Sequence, residues 1–181
     1  LTFQGQKVVH IRAPEGSRAF EISVRRHATD IDPMLYLNMA DTFNNQLLVL
    51  LVVSNNPDAP RYNIDVDLDG NRTQLGTVSR NIPAEKAAMQ AGLAPGQVRV
   101  GMRIFRRLVP VFEQFVARLG HTMFFIEPLA YHNAIVFERY GFSYLRGYQE
   151  MLRIDREFQP GGELHARLTP ENPFRQPDAW E

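Results

Sequence analysis

The stretch TMFFIEPLAYHNAIVFERYGF, residues 122–142, decides how the rest of the sequence is interpreted. Thr122 to Ile126 is short and mostly apolar, which is typical of a strand that is covered on both faces. Pro128 ends that strand, because proline has no N–H to donate to a neighbouring strand. A helix is predicted over residues 133–140, and Gly141 stands where a left-handed residue commonly ends a helix. The stretch therefore predicts a strand, a loop and a helix that ends abruptly.

Hydrophobic patterning predicts the other elements. Alternating or continuous apolar residues predict strands over residues 8–11, 19–26, 47–53, 62–68, 73–79, 142–145 and 149–155. Three- and four-residue spacing predicts helices over residues 34–45, 81–92 and 100–119. Asp32 and Pro33 are expected to start the first of these helices, and Asp69 and Gly70 to form a hairpin turn. The mixed order predicts one α/β sheet with helices on its faces.

Domain boundaries follow from composition. Residues 1–18 are expected to be an N-terminal segment, and the first five resemble the remnant of an expression linker. Residues 19–158 carry the periodic segments and are expected to form one domain. Residues 159–181 are rich in proline, glycine and charge, and are expected to form a C-terminal tail.

Composition limits the classes of function. The 181 residues include 20 basic and 20 acidic side chains, so a formal net charge of zero gives no electrostatic case for nucleic acid or a membrane surface. The chain has no cysteine, which excludes disulfides, cysteine zinc sites and thiol catalysis and fits the cytoplasm as the expected location. The longest apolar run, Leu47 to Val53, is too short to span a bilayer.

One motif resembles a known superfamily. The sequence FERYGF, residues 137–142, resembles the second half of the closing motif A-x-x-x-Y-E-K-x-G-F of the GNAT superfamily of acyl-CoA N-acyltransferases. The order of predicted elements over residues 19–156 is also similar to the GNAT order, with the helix near residues 83–91 as an addition. The resemblance implies an α/β (α+β) domain with a single mixed, mostly antiparallel sheet flanked by helices, and an extra helix before the cofactor-binding helix.

An arginine-rich segment opens the strongest predicted helix. Arg99, Gly101 and Arg103 are followed one turn later by Arg106 and Arg107. A helix N-terminus with arginines attracts anions, although a solvated arginine face explains the same pattern. In GNAT proteins a Q/R-x-x-G-x-G/A loop here holds the pyrophosphate of coenzyme A, and residues 97–102 approximate it with one glycine. The resemblance implies acetyl-CoA or another acyl-CoA as cofactor, contacted by Val78, Arg99, Gly101, Met102, Arg103, Asn133 and Phe137, with backbone N–H groups around Val78 stabilising the oxyanion.

The catalytic candidates surround the quoted stretch. Glu127 follows a predicted core strand, where a carboxylate could take a proton from an amine, although a solvated strand end is an equally ordinary role. In GNAT proteins a tyrosine four residues before the Gly-Phe pair often protonates the departing thiolate. Phe137 occupies that position here, so Tyr131, His132 and Tyr140 are the candidate replacement acids.

The segment from Asp65 to Asn71 admits two interpretations. Asp65, Asp67 and Asp69 alternate as in the first half of a calcium loop, but the twelfth position is Gly76 instead of glutamate. A hairpin is the favoured interpretation, and the resemblance implies that Asp65 and Asp67 line the entrance for a cationic amine substrate. The five histidines show no metal-ligand spacing, so no metal site is predicted.

Two classes of function follow. The first is an acyl-CoA-dependent N-acyltransferase, an acetyltransferase in its simplest form, in which a small-molecule or protein amine attacks the thioester directly. The second is a non-catalytic GNAT-fold binding or interaction module that has lost the general acid. A calcium-responsive domain is a third, weaker alternative. No nucleic-acid or membrane partner is expected, and a homodimer through the extra helix or the tail is left open.

Overall fold

The computed structural model describes residues 2–3, 5–74 and 76–171. The chain divides into two compact units, residues 1–129 and residues 130–181, which we call the sheet unit and the helical unit. The division falls in the loop that follows the last strand, inside the stretch that the sequence analysis treated as one continuous domain.

The sheet unit is built on five strands whose spatial order equals their order in the chain. They are β3 (Val9–Arg12), β4 (Ala19–Val24), β5 (Leu35–Asp41), β6 (Leu47–Ser54) and β7 (Phe124–Ile126), and a separate ribbon pairs β1 (Thr2–Phe3) with β2 (Gln6–Lys7). The first four strands of the sheet pair antiparallel, and β7 pairs parallel to β6. The fold is therefore α+β with a mixed, mostly antiparallel sheet, as predicted. Strand β3 is an edge of this sheet, so the strand predicted over residues 8–11 is confirmed.

Four α-helices accompany the strands in the described residues. They are α1 (Ile82–Gln90), α2 (Phe105–Arg118), α3 (Tyr131–Arg139) and α4 (Tyr148–Phe158), followed by a 3₁₀ turn at His165–Arg167. The predicted helices over residues 81–92, 100–119 and 133–140 are confirmed, with shifted ends. Gly141 has φ of 89° and ends α3 with bonds from its own N–H to Glu138 and from the Phe142 N–H to Phe137, as a left-handed cap requires.

The core of the sheet unit lies between the middle strands and α2. Five side chains form it, each less than a tenth exposed: Leu37, Met39, Leu47, Val49 and Val116. Phe112 and Phe115 of α2 pack against this cluster, and the Phe112 ring meets the Phe124 ring edge-on at 4.9 Å. The apolar spacing of α2 therefore faces the sheet, and its arginines face away from it. Helix α2 runs unbroken through Pro110.

The helix predicted over residues 34–45 is wrong, since Leu35–Asp41 forms β5. Leu35 and Met39 suggested a four-residue helical spacing, but residues four apart also lie on the same face of a strand. Leu37, between them, is buried on the same face of the sheet. Asp32 consequently does not start a helix.

The two strands predicted over residues 62–68 and 73–79 are also wrong, because in the described residues of these segments only an isolated bridge joins Val66 to Arg72. The turn at Gly70 does form, with an N–H bond from Asp67 to the Asn71 carbonyl. Side chains occupy the carbonyls that a strand would have paired: the Thr73 hydroxyl donates to Ile64, and the Asn81 amide donates to Val66. The segment is a loop held by side chains.

The last two predicted strands, over residues 142–145 and 149–155, are replaced by a turn and by α4. Tyr148, Met151, Leu152 and Asp155 recur at the spacing of one helical face, which the short run of apolar residues obscured. Gly147, with φ of 84°, precedes the helix. Of the predicted tail, residues 159–171 are described and residues 172–181 lie outside the described residues.

Asn81 connects the loop of residues 63–66 to α1, and its replacement by alanine is expected to destabilise the sheet unit by about 2 kcal/mol. Its Oδ1 accepts the Ala84 N–H as a helix cap, while its Nδ2 donates to the carbonyls of Asn63 and Val66 at 3.2 and 2.9 Å. The residue is buried, so water cannot replace these bonds freely. Urea denaturation measures the loss.

The matched control for Asn81→Ala is Asn81→Asp, which keeps the cap acceptor and removes the amide donor. Asn81→Asp is expected to lose at least as much stability as Asn81→Ala, because its buried carboxylate meets the carbonyl oxygens of Asn63 and Val66 that the amide had bonded. Equal stability of Asn81→Ala and the wild type would contradict the assigned role.

Candidate functional site

Strand β6 carries a bulge at the place where it parts from β7. Asn38 of β5 pairs with Leu51 and Met39 pairs with Val49, so Leu50 is an extra residue without a partner on β5. The parallel pairing with β7 covers Leu47 to Val49 and stops there. A bulge bends a strand and ends its pairing, and bulges are common beside functional sites.

Beyond the bulge, β6 turns backbone polar groups toward the side from which β7 has departed. The Asn55 N–H donates to the Met34 carbonyl on the β5 side, at 2.9 Å. Since backbone groups alternate along a strand, those of Val52 and Ser54 face the opposite side. None of the described strands pairs with β6 there. We call this side of residues 50–54 the open edge.

A loop that leads into α2 closes the far end of the open edge. The Asn56 N–H donates to the Val100 carbonyl at 2.8 Å, and the Met102 N–H donates to the Ser54 hydroxyl at 3.3 Å. A Cβ placed on Gly101 would lie 3.3 Å from the Ser54 carbonyl oxygen, so glycine permits this close approach. The predicted residues Gly101 and Met102 therefore do adjoin β6.

The start of α2 is positively charged. Arg103, which has φ of 55°, and Arg106 and Arg107 are all exposed. Ile104 provides no side-chain cap for the helix, and the first turn has no acidic residue. The helix dipole and three arginines therefore favour an anion at the end of the loop that adjoins the open edge.

Arg99, predicted to contact the cofactor, makes hydrogen bonds within the chain. Its Nε donates to Asp32 at 2.9 Å and its Nη1 donates to the Ala59 carbonyl. Asp32 also accepts from Arg61 at 3.0 Å, and all three side chains are less than a fifth exposed. Burial opposes ionisation of Asp32, but the bonds and charges of Arg61 and Arg99 together outweigh it and lower its pKa. This ion-pair cluster holds the loop before α2 against the chain that enters β5.

Glu127 lies where the sequence predicted it, at the end of a strand, whereas Val78 lies in a turn. Glu127 is exposed immediately after β7, at the carboxyl end of that strand, as predicted. Val78 lies in a turn and not on a return strand, and its N–H donates to the Thr73 carbonyl at 3.2 Å. The predicted oxyanion donor is thus already used, while Val52 supplies an N–H on the open edge.

The two carboxylates proposed for substrate binding are engaged within the chain. Asp65 accepts from Arg61 at 2.8 Å, and Asp67 accepts the N–H groups of Asp69 and Asn71 at 3.0 and 2.8 Å. The bond from Asn71 is the main cause of the lowered pKa of Asp67. Among the described residues no three acidic or histidine side chains are grouped to hold a metal ion.

The helical unit contains the remaining predicted residues on α3. His132 is half-buried, and burial lowers its pKa below the usual 6.5, so it is mainly neutral at pH 7 and suits a base better than an acid. The Phe137 ring lies 5.5 Å from the Phe142 ring. Tyr140 ends the helix as its C-cap, and Asn133 donates its N–H to Ala130.

Tyr131 begins α3 and donates a hydrogen bond to a carboxylate. Its hydroxyl donates to Asp155 at 3.4 Å. Burial is the largest cause of its raised pKa, and the negative charges of Asp155 and Glu138 add to it. Tyr131 therefore keeps its proton at neutral pH.

Comparison with known proteins identifies no relative: no family model, no curated protein and no solved structure matches the chain. No helix in the described part of the chain is long and apolar enough to cross a bilayer. The argument about function consequently rests on the site itself.

Several of these features have no signature in the sequence. The bulge at Leu50 lies inside a continuous apolar run. A bulge shifts the alternation of side chains between the two faces of the sheet, and that shift cannot be seen where every residue is apolar. The role of Arg99 depends on Asp32, which is 67 residues away. Glycine before an arginine-rich helix was the one local signal, and it indicated the loop that adjoins β6.

Proposed function

We propose that the protein binds an acyl-CoA along the open edge of β6 and transfers the acyl group to an amine. The observation that carries this proposal is the bulge at Leu50, which coincides with the end of the pairing between β6 and β7. It leaves unpaired backbone groups directed to one side of a strand whose end adjoins an anion-attracting helix start.

An extended ligand with amide groups suits the open edge. Such a ligand adds to a sheet edge as a further strand does, through N–H and C=O bonds, here with the Val52 carbonyl and the Ser54 N–H, which leaves the Val52 N–H free for the reacting carbonyl. The edge spans roughly 13 Å at the usual rise of a strand. The phosphates of the same ligand would meet the start of α2, where Arg103, Arg106 and Arg107 offer charge-assisted bonds. Arg99 acts indirectly, by holding the loop.

The transfer requires one bond to form and one to break. The amine nitrogen attacks the thioester carbonyl carbon, the C–N bond forms, and the C–S bond then breaks to release the CoA thiolate. The Val52 N–H is positioned to stabilise an oxyanion at the edge. Glu127 or water takes the proton that the amine loses, and water returns a proton to the thiolate.

A non-catalytic acyl-CoA-binding module is the second candidate. It is favoured by Phe137, whose ring is packed on Phe142 and offers no proton, and by Tyr131, whose hydroxyl is held by Asp155. Binding of acetyl-CoA without release of free thiol over a panel of amines would select this candidate.

The double variant Arg106→Glu with Arg107→Glu is expected to weaken acetyl-CoA binding at least ~10-fold, because two charge-assisted phosphate bonds are lost. Acidic residues at a helix start favour the helix, so the fold is expected to persist. Calorimetric titration measures the binding. Arg118→Glu, at the other end of α2, is the matched control and is expected to bind as the wild type does. No binding by the wild type would sink the proposal, as would equal weakening by Arg118→Glu.

A further inference from the structure

The open edge of β6 runs between two different ends. At its far end, the Met102 N–H of the loop before α2 donates to the Ser54 hydroxyl at 3.3 Å. At its near end β6 and β7 separate, and Val49 with Ile126 is the last pair of residues that joins them. A ligand whose phosphates lie at the start of α2 therefore extends along the edge toward the point where the two strands separate.

Aliphatic side chains surround this point of separation. Leu50 follows the last pair on β6, and 38% of its surface is exposed. Leu51 and Val52 come next and point to opposite faces of the sheet, as successive residues of a strand do. Ile126 on β7 packs against the core, as Val52 does. These four side chains offer apolar contact and have no group that carries charge or forms a hydrogen bond.

A carboxylate stands beside the same point. Glu127 follows Ile126 on β7, so Glu127 and Leu50 are the first residues of the two strands beyond their last pair. Glu127 is exposed. A second carboxylate at this point would lose water against the leucine side chains and would be repelled by Glu127. The charge and the apolar surface therefore disfavour the same kind of ligand, one that ends in a negative group.

We propose that the transferred acyl group is an uncharged aliphatic chain longer than acetyl. The Val52 N–H, which meets the thioester carbonyl in the proposed function, belongs to the peptide bond between Leu51 and Val52. The carbons beyond an acetyl group then lie against Leu51 and the exposed part of Leu50. Each methylene group that covers this apolar surface leaves water, which favours binding. The inference rests on the proposed function and specifies the acyl donor that it uses.

The test is a set of calorimetric titrations of the full chain, without an acceptor amine, with acetyl-CoA, butyryl-CoA, succinyl-CoA and free CoA. Butyryl-CoA is expected to bind at least ~3-fold more tightly than acetyl-CoA, because its additional methylene groups are partly buried. Succinyl-CoA has an acyl chain with as many carbons as butyryl-CoA, but the chain ends in a carboxylate. It is expected to bind at least ~10-fold more weakly than butyryl-CoA, because that charge is placed against apolar side chains and near Glu127.

Paired variants locate the two effects on the chain. Leu51→Ser is expected to remove the advantage of butyryl-CoA over acetyl-CoA. Leu48→Ser is its matched control and is expected to keep that advantage, because Leu48 lies on the same face of β6 but in the part that β7 pairs with. Glu127→Gln is expected to narrow the difference between butyryl-CoA and succinyl-CoA at least ~3-fold. Glu113→Gln, at an exposed position of α2, is expected to leave that difference unchanged. Circular dichroism checks that each variant is folded.

The results distinguish failure of this inference from failure of the proposed function. Equal affinities for the three acyl-CoA ligands would overturn the inference and leave acyl-CoA binding in place. Tighter binding of succinyl-CoA than of butyryl-CoA, or equal losses of the butyryl-CoA advantage in Leu51→Ser and Leu48→Ser, would overturn it in the same way. If neither free CoA nor any acyl-CoA binds, the proposed function fails and the inference fails with it.

Discussion

Replacement of Asp32 by asparagine is expected to lower the free energy of unfolding by about 3 kcal/mol at pH 7. The carboxylate bonds two guanidinium groups, those of Arg61 and Arg99, at 3.0 and 2.9 Å. Removing one partner of a buried pair costs about 3–5 kcal/mol, because charges remain without compensation. Arg61 keeps Asp65 as a partner, and the side chains retain slight exposure, so the lower end of that range applies. Urea denaturation provides the measurement.

The loss of stability caused by Asp32→Asn is expected to become smaller as the pH falls. The folded protein lowers the pKa of Asp32, so the stabilisation is complete above the unfolded value of about 4 and is lost as the pH falls through the folded value. The difference between wild type and variant should therefore shrink at pH 3. The exposed pair of Arg26 with Asp58 supplies the control, since Asp58→Asn is expected to leave the unfolding midpoint unchanged. A difference that grows on acidification would contradict this assignment.

The same carboxylate links stability to the proposed site. Asp32 lies just before β5 and Arg99 just before the loop that adjoins the open edge, so their bond positions that loop. Arg99 was predicted from its position as a cofactor ligand, and in the structure its guanidinium bonds Asp32 and the Ala59 carbonyl. The residue before a functional loop is often occupied in holding the loop in place, because a binding site requires a fixed backbone.

The sheet was predictable where a single period dominated. Ala19–Val24 alternates over six residues, and Leu47–Ser54 is too apolar for anything but a core strand, so both strands could be found from the sequence. Leu35–Asp41 failed because its apolar spacing satisfies a strand and a helix alike. The prediction for Tyr148–Phe158 failed in the opposite sense, since a strand was predicted over residues 149–155 and the segment is a helix. For Leu35–Asp41 only tertiary packing decides between the two periods, whereas the helical spacing of Tyr148, Met151 and Leu152 is present in the sequence itself.

The candidate site was predictable only in part, for a related reason. Gly101 and the arginines that follow it form a local pattern and could be identified. The open edge could not, because it arises from the register between β5 and β6, a relation between two segments that neither reveals alone. The failed hairpin at residues 62–79 has the same origin, since its carbonyls are taken by Thr73 and Asn81 from elsewhere in the loop.

Deletion of Leu50 is expected to weaken acetyl-CoA binding about 100-fold while the fold is retained. Val49 and Val52 both pack toward the core, although three positions separate them where a regular strand has two. Without Leu50 the two become regular neighbours on one face, and the pairs of Asn38 with Leu51 and Met39 with Val49 stay in register. The strand then loses the bend that separates it from β7, and the ligand loses the edge to which its amides would bind. A 100-fold loss corresponds to about 2.7 kcal/mol.

Leu50→Ser is the matched control for this deletion, since it removes the exposed side chain and keeps the extra residue. It is expected to bind acetyl-CoA as the wild type does, because the open edge is formed by backbone groups. Calorimetric titration gives the affinities, and thermal denaturation checks that the deletion variant is folded. If the folded deletion variant binds acetyl-CoA with full affinity, the cofactor does not use this edge. If Leu50→Ser loses binding as well, the side chain and not the bulge makes the contact.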